Sequence, residues 1–379
     1  MGAIKSFTVY QVDLPLRIAV RHAAATRRFS DSIFLRCVTD TGYTGLGESL
    51  PRSYVTGETR EHTAEILKAR ILPRLLGRIF GSFEEVQAFL AGCDGRAPAD
   101  WLDPTVPQAA AWCAIDLALL DVFGRESGRS LLPAKPGGSL EKIRFSGVMP
   151  TDRLSFACVL CLVFHLAGLR QVKVKVGGPN DDRLLHLVRA LMGHRAQIRV
   201  DANMAWTIDQ ALDAMPHLAS MGVLTFEQPI DAGDLSGMAT LVCKTGLSVM
   251  ADEAISDGRS MRSLIEKKAC TAVNIRISKC GGLTAALRRC HEALGAGLAL
   301  QVGCQVGETS LLSSAQLALL AMVPNVTHAE GVLVGICSGT MWPCHPLDLA
   351  MVAGLPMCQR VLGWASRSTR RSCGGGQPA

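Results

Sequence analysis

Aromatic residues are scarce: three Tyr, five Trp and eleven Phe make up 5% of 379 residues. So few rings argue against stacking platforms for single-stranded nucleic acid. A dominant charge is missing as well. Basic residues outnumber acidic ones by 39 to 33, but Arg360, Arg367, Arg370 and Arg371 all follow the last acid, Asp348, which leaves the rest of the chain at +2. No nucleic-acid-binding surface is expected from that balance. Long apolar runs are absent too. Phe156 to Leu169, with a His inside it, is about 14 residues long, short of the roughly 20 needed to span a bilayer, and reads as a buried helix. The opening MGAIKSFTVYQVDLPLRI lacks a basic start, a continuous apolar centre and a small-residue cleavage site. The expectation is therefore a cytoplasmic protein without a secretory signal, its 14 cysteines reduced. Cys158 and Cys161 form a C-x-x-C, yet no second pair stands at zinc-site spacing.

What is present suits a sizeable core: 48% hydrophobic and 19% charged residues, with 37 Gly and 17 Pro close to average usage. The length fits two to three domains, or one barrel with an accessory domain. Residues 1–130 read as strands followed by helices. Lys5 to Leu14 and Ser32 to Val38 are β-like, the second ending at the turn Thr39-Asp40-Thr41-Gly42. Helices are expected over Glu61 to Leu76, Ser82 to Leu90 behind a capping box Ser82-x-x-Glu85, and Pro107 to Gly124. That order describes an α+β domain.

From about residue 143 short β-rich runs alternate with amphipathic helices. The runs are Arg144 to Met149, Gln171 to Val176, Gln197 to Val200, Val223 to Phe226, Leu247 to Ala251, Ala272 to Ile277, Leu298 to Val302 and Val326 to Ala329. Among the helices, Asp181 to His194 puts Leu184, Val188, Leu191 and Met192 on one face, and Thr207 to Met221 opens on Thr207-x-x-Gln210. Polar or small residues close the strands at Lys175, Asp201, Glu227, Asp252, Lys279, Gly303 and Glu330, at intervals of 26, 26, 25, 27, 24 and 27. One βα unit consumes about that length. Repetition with right-handed crossovers builds a parallel sheet, and eight strands close it into a TIM-type barrel over 135–345 whose strand ends share one mouth. A tail over 346–379 is expected to be partly disordered.

The closing residues carry chemistry. Asp201, Glu227 and Asp252 would repel one another at one mouth unless a hard dication sat among them, and oxygen-only ligation suits Mg²⁺. Any one of them alone is an ordinary loop cap. Strand parity favours Asp252 over Glu253 as the ligand. Asn203, two residues after Asp201, is either a hydrogen-bond partner of the metal shell or substrate, or a plain turn residue. Lys173 and Lys175 in VKVKV face one side with the valines on the other, and proximity, desolvation and a metal would lower their pKa values. Lys279 ends the sixth strand, so Lys175 and Lys279 would flank the metal. A base beside a metal-bound carboxylate suits removal of an α-proton through an enediolate.

KxK in KVKVG, then DAN, EQP, ADE and SKCGG, in this order and spacing, resemble the enolase superfamily and within it the muconate-lactonising subgroup; AIDLALLDVFGRESGRSL extends the likeness into the N-terminal region. The resemblance implies a barrel of seven or eight βα units under an N-terminal capping domain. It implies Mg²⁺ held by Asp201, Glu227 and Asp252, with Lys175 and Lys279 as acid/base residues and Lys173 as their electrostatic helper. His22 to Arg28 and Ser49 to Thr59 occupy the places of substrate-selecting loops. Glu330 stands where cycloisomerases of the subgroup hold a Glu, implying a contact with a cationic or hydroxylated substrate end. The implied activity is racemisation or epimerisation of an amino-acid derivative or related small carboxylate. Cycloisomerisation or dehydration is the alternative within the superfamily, and a non-catalytic binding barrel the alternative outside it. A homo-oligomer is also implied. Two stretches depart from the family pattern: SFACVLCLVFHLAG has almost no polar outer face, and VLGWASRSTRRSCGGGQPA is basic where relatives end in an acidic strand.

Overall fold

The computed structural model describes residues 1–22, 25–129, 143–149 and 153–331, and their side chains apart from residues 16–27. Strand β1 (Ile4–His22) turns back as β2 (Ala25–Thr39), which pairs antiparallel with β3 (Thr44–Ser49). The expected turn forms: Thr39 N donates to Tyr43 O, and Gly42 adopts a φ of 91° that glycine takes without a Cβ penalty. The expected loop from His22 to Arg28 is mostly strand backbone, and most of its side chains lie outside the described residues.

Helix α1 (Arg60–Ile66) begins at Thr59, whose side chain accepts from His62 N. It runs through a π-helical turn (Leu67–Ile71) into α2 (Leu72–Leu75). The single helix read from sequence thus contains a widened turn just ahead of Pro73, which cannot donate into the ladder. Helix α3 (Phe83–Cys93) has half of the expected capping box. Ser82 Oγ accepts from Glu85 N, but the Glu85 carboxylate takes Gly81 N. Helix α4 (Ala109–Glu126) starts after Pro107, where buried Glu58 accepts from Ala110 N at 2.8 Å and Ala111 N at 3.1 Å and so fixes its first turn, and it runs past Gly124. Its contact with β3 depends on glycine. A Cβ at Gly47 would lie 1.8 Å from Ala114 O, so Gly47→Ala forces sheet and helix apart. The expected loss is about 3 kcal/mol, checked by the urea midpoint.

The remaining described chain forms eight parallel strands: β4 (Ser146–Met149), β5 (Gln171–Lys175), β6 (Gln197–Asp201), β7 (Val223–Glu227), β8 (Ser248–Ala251), β9 (Ala272–Ile275), β10 (Ala299–Val302) and β11 (Val326–Ala329). Each pairs with its sequence neighbour, and a bridge from Phe145 to Ala329 brings the last strand to the first. The crossovers are α5 (Leu154–Leu166), α6 (Asp181–Met192), α7 (Ile208–Ser220), α8 (Leu235–Thr245), α9 (Gly258–Glu266), the single turn α10 (Ile277–Cys280) with α11 (Leu283–Gly295), and α12 (Ser310–Met322). This is the expected barrel with its α+β N-terminal domain. Val172, Val174, Ile198 and Val200 are buried under the helices, as period-2 alternation requires.

Three expectations need correction. Helix α5 is not buried: Ala157, Cys161 and Phe164 pack inward, while Val159, Leu162 and Leu166 are exposed. One face of a peripheral helix is all a barrel can cover, so apolar composition outran the burial available. On α6 the buried face is Leu184, Leu185, Val188 and Met192, with Leu191 at the surface. The sixth strand stops at Ile275, and Lys279 stands on α10 instead. Among the described residues no helix is long and apolar enough to cross a membrane. The expected tail over 346–379 lies outside them.

Candidate active site

Register sets the site. On β5, β6 and β7 the paired positions Lys173, Arg199 and Thr225 form one inward layer, and Lys175, Asp201 and Glu227 form the next toward the mouth. The inner layer is polar. Arg199 donates to Ser146 Oγ at 2.8 Å and to Glu330 Oε1, while Gln301 Nε2 reaches Glu330 Oε1 at 3.3 Å. Asn274 Nδ2 donates to Glu227 Oε1 at 2.8 Å.

At the rim, cations and carboxylates alternate. Lys175 Nζ lies 2.6 Å from Asp201 Oδ2 and 2.5 Å from Asn203 Oδ1. Lys173 Nζ is 2.8 Å from Asp201 Oδ2, 2.7 Å from Glu227 Oε1 and 3.4 Å from Glu330 Oε1. Arg276 follows, 3.8 Å from Glu227 Oε1 and paired with Asp252 Oδ2. Lys279 closes the row, donating to Asp252 Oδ1 at 2.6 Å and to the carbonyls of Asp252 at 2.5 Å and Asn274 at 3.1 Å. The sequence-derived residues are thus gathered at one end of the barrel, with Lys173 and Glu330 a layer deeper than the rim, but every amine is engaged by a carboxylate.

The electrostatics follow from that pairing. Burial would lower the pKa of Lys173, but Asp201, Glu227 and Glu330 outweigh it and hold the ammonium well above its ordinary range. The expected depression of Lys173 is therefore reversed, since three carboxylates touch it. Burial raises the Asp201 carboxyl, and Lys173 with Lys175 overcomes this and holds it low. Lys279 behaves as expected of a buried amine: burial first, then Arg276, bring it down to about 7.

Backbone conformation at the strand ends is unusual. Asn203 (φ 44°), Met204 (φ 64°) and Gln228 (φ 37°) occupy the left-handed region, where non-glycine residues concentrate at functional sites. Gln228 Oε1 accepts from Asp252 N at 2.9 Å and Ala254 N at 3.2 Å, so it aims the loop bearing Asp252. Strand parity does not separate Asp252 from Glu253, because β8 has already ended. Glu253 Oε1 accepts from Asn203 Nδ2 at 3.0 Å, and burial, then Asp201, raises its pKa. Glu330 has Oε1 committed to Arg199, Lys173 and Gln301, inside the barrel. Sequence reasoning missed Arg199, Asn274, Arg276 and Gln301. Arg199 shared the inward parity of Asp201 two residues on, a signal that was available.

No three His, Cys, Asp or Glu side chains among the described residues stand as a ready metal-ligand cluster. The expected single point of convergence is instead a row in which an ammonium or guanidinium separates each pair of carboxylates. The donors still fit a hard dication. Asp201, Glu227 and Asp252 are oxygen-only donors, fully buried at or just beyond the ends of successive strands, and each adjacent pair already shares one cation.

Such a barrel mouth, with lysines and carboxylates at or just beyond the ends of five successive strands, defines an enolase-type site. Residues 4–133 match the model of the mandelate racemase / muconate lactonizing enzyme N-terminal domain, and residues 162–335 that of the enolase C-terminal domain-like family. The N-succinyl-L-Arg/Lys racemase of Bacillus cereus is 31% identical over 318 residues, covering 82% of each chain. The L-Ala-D/L-Glu epimerase of Clostridium acetobutylicum is 26% identical over 342 residues, 88% of this chain and 91% of that one. A crystal structure of the dipeptide epimerase from Enterococcus faecalis V583 complexed with Mg and dipeptide L-Leu-L-Tyr superposes with a TM-score of 0.77 at 25% identity, covering 90% of this chain and 93% of the other. The chain belongs to the mandelate racemase/muconate lactonizing enzyme group of the enolase superfamily. The expected family and isomerase class are borne out.

Proposed function

We propose that the chain is a Mg²⁺-dependent racemase or epimerase that moves the α-proton of a small carboxylate whose amino group is in amide linkage, as in N-acyl amino acids and dipeptides. The order of groups around the rim carries the reading: an amine at each end, Lys175 on Asp201 and Lys279 on Asp252, with the carboxylate row between them. The names of the relatives, an N-succinyl amino-acid racemase and dipeptide epimerases, support the substrate class.

Asp201, Glu227 and Asp252 would hold the metal, which when bound supplies a Lewis acid for the substrate carboxylate. The side chains divide the remaining work. With its pKa near 7, Lys279 can take up a proton near neutral pH. Lys175, a quarter exposed at the opposite end of the row, can serve the other face of the α-carbon. Lys173 stays charged, holds the Asp201 carboxyl low, and offers a fixed positive charge where negative charge grows on the substrate. Glu330 Oε1 is occupied by the chain itself, so a substrate contact there falls to its other oxygen.

The decisive experiment incubates the protein and Mg²⁺ in D₂O with a panel of N-acyl amino acids and dipeptides. Deuterium at the α-carbon together with the opposite stereoisomer is the expected result. A metal-saturated protein that labels none of the panel sinks the reading. Metal binding has its own readout: Mg²⁺ at about 100 times its Kd stabilises the fold by about 2.7 kcal/mol. The unfolding temperature should rise accordingly, and Asp252→Asn should abolish most of the rise.

A further inference from the structure

Lys279 stands on an isolated helical turn, α10, which has no stability of its own. Its position depends on what holds the segment at either end, and the N-terminal domain holds it at three places. Leu50 N, just beyond β3, donates to Ser278 Oγ at 3.1 Å, and Ser278 is fully buried. Gly281 (φ 86°) lies so close to the loop after α3 that a Cβ there would be 2.0 Å from Gly95 O. The third contact is the carboxylate of Asp116 on α4. Its Oδ2 accepts from Leu283 N at 2.8 Å and Thr284 N at 3.3 Å, the first amides of α11.

That third contact replaces something missing. The residue before helix α11 is Gly282, which supplies no side-chain cap, so its first amides would go unpaired. Gly282 (φ 119°) is also where a Cβ would meet Asp116 Cβ at 2.4 Å. The absent side chain therefore makes room for a cap delivered from another domain. Asp116 is 1% exposed and its hydrogen bonds, to Leu283 and Thr284, go to α11. Arg289, about one and a half turns further along α11 and also buried, pairs with Asp94 at 2.9 Å, so the first half of the helix is docked on the N-terminal domain.

We propose that Asp116 is a positioning residue for Lys279: by capping α11 across the domain boundary it fixes the turn that aims the Lys279 ammonium, whereas Lys175, on β5, is set by the barrel alone. The consequence for catalysis rests on the acid/base reading of Lys279. It follows that the capping domain does more than cover the mouth. It completes one half of the acid/base pair, and damage to this contact should affect one face of the α-carbon.

The test compares wild type with Asp116→Ala and the milder Asp116→Asn, which keeps an acceptor oxygen but loses the charge. Each stereoisomer of a substrate is incubated separately in D₂O with Mg²⁺, and amide hydrogen exchange is followed by mass spectrometry. In Asp116→Ala, α-deuteration of the stereoisomer served by Lys279 should fall roughly 100-fold, mainly in kcat, and that served by Lys175 by no more than about threefold. Asp116→Asn should lie between. Amides of residues 277–284 should lose protection while those of β5 keep it. Gly282→Ala, which pushes Asp116 away from the barrel side, should reproduce the pattern. Equal slowing of both stereoisomers overturns the inference, as does unchanged protection over 277–284. A wild-type protein that labels no substrate overturns the functional reading instead, and protection over 277–284 then decides alone whether Asp116 holds the segment.

Discussion

Lys279→Ala should reduce α-hydrogen exchange of one stereoisomer by roughly 10²- to 10⁴-fold, the usual worth of a positioned acid/base group, and Lys175→Ala should do the same for the other. The asymmetry follows from where the amines sit. Each is tied to a different outer carboxylate, Lys175 to Asp201 on β6 and Lys279 to Asp252 after β8, with Glu227 between them. A substrate carboxylate seated over the row exposes one face of its α-carbon to each amine. Net racemisation needs both residues, so it should vanish in either variant while single-face deuteration survives. Lys279→Arg separates charge from proton transfer: the guanidinium keeps the positive charge beside Asp252 but cannot act as a base near neutral pH. If Lys279→Arg retains exchange at both faces, Lys279 supplies only charge. Stereoisomer-resolved NMR in D₂O reads all of these outcomes.

Much of this site could be read from the order of residues alone. A parallel strand places alternate side chains inward, and the last inward residue of each strand faces the mouth, so Lys175, Asp201 and Glu227 announced themselves through a near-constant interval of 26. Lys279 escaped that logic. The interval reached it, but the strand had ended four residues earlier and the side chain returns from a helical turn. The sign of the Lys173 shift was also hidden, because sequence shows its neighbour Lys175, whereas the carboxylates that grip it come from β6, β7 and the end of β11. Arg199, Asn274 and Gln301 read as ordinary polar residues within β-rich runs. Only closure of the barrel turns them inward together. The contact between Asp116 and α11 spans 167 residues, with no local motif to mark it.

The second large effect concerns the barrel interior. Arg199 and Glu330 are both buried and paired, with Lys173 3.4 Å from the same Glu330 oxygen. Burial would raise the Glu330 pKa, but Lys173, Arg199 and Arg276 outweigh it and hold the carboxyl at about 2, against 4.5 for an ordinary Glu. A carboxyl held low contributes stability that is complete above its unfolded value and is lost as pH falls from about 4.5 toward 2. Arg199→Met removes one partner and leaves a buried carboxylate with less compensation, so a loss of about 3–5 kcal/mol is expected at neutral pH. The variant's acid unfolding limb should be shallower between those pH values, because Glu330 then sits nearer its unfolded pKa. The double variant Arg199→Met with Glu330→Met replaces the pair by apolar groups and should recover most of the loss. Urea unfolding of the three proteins at pH 7 and about pH 3, inside the window where the Glu330 contribution is lost, distinguishes the cases. A double variant no more stable than Arg199→Met alone would mean that the contacts of Glu330 with Lys173 and Gln301 outweigh the relief of its lost partner.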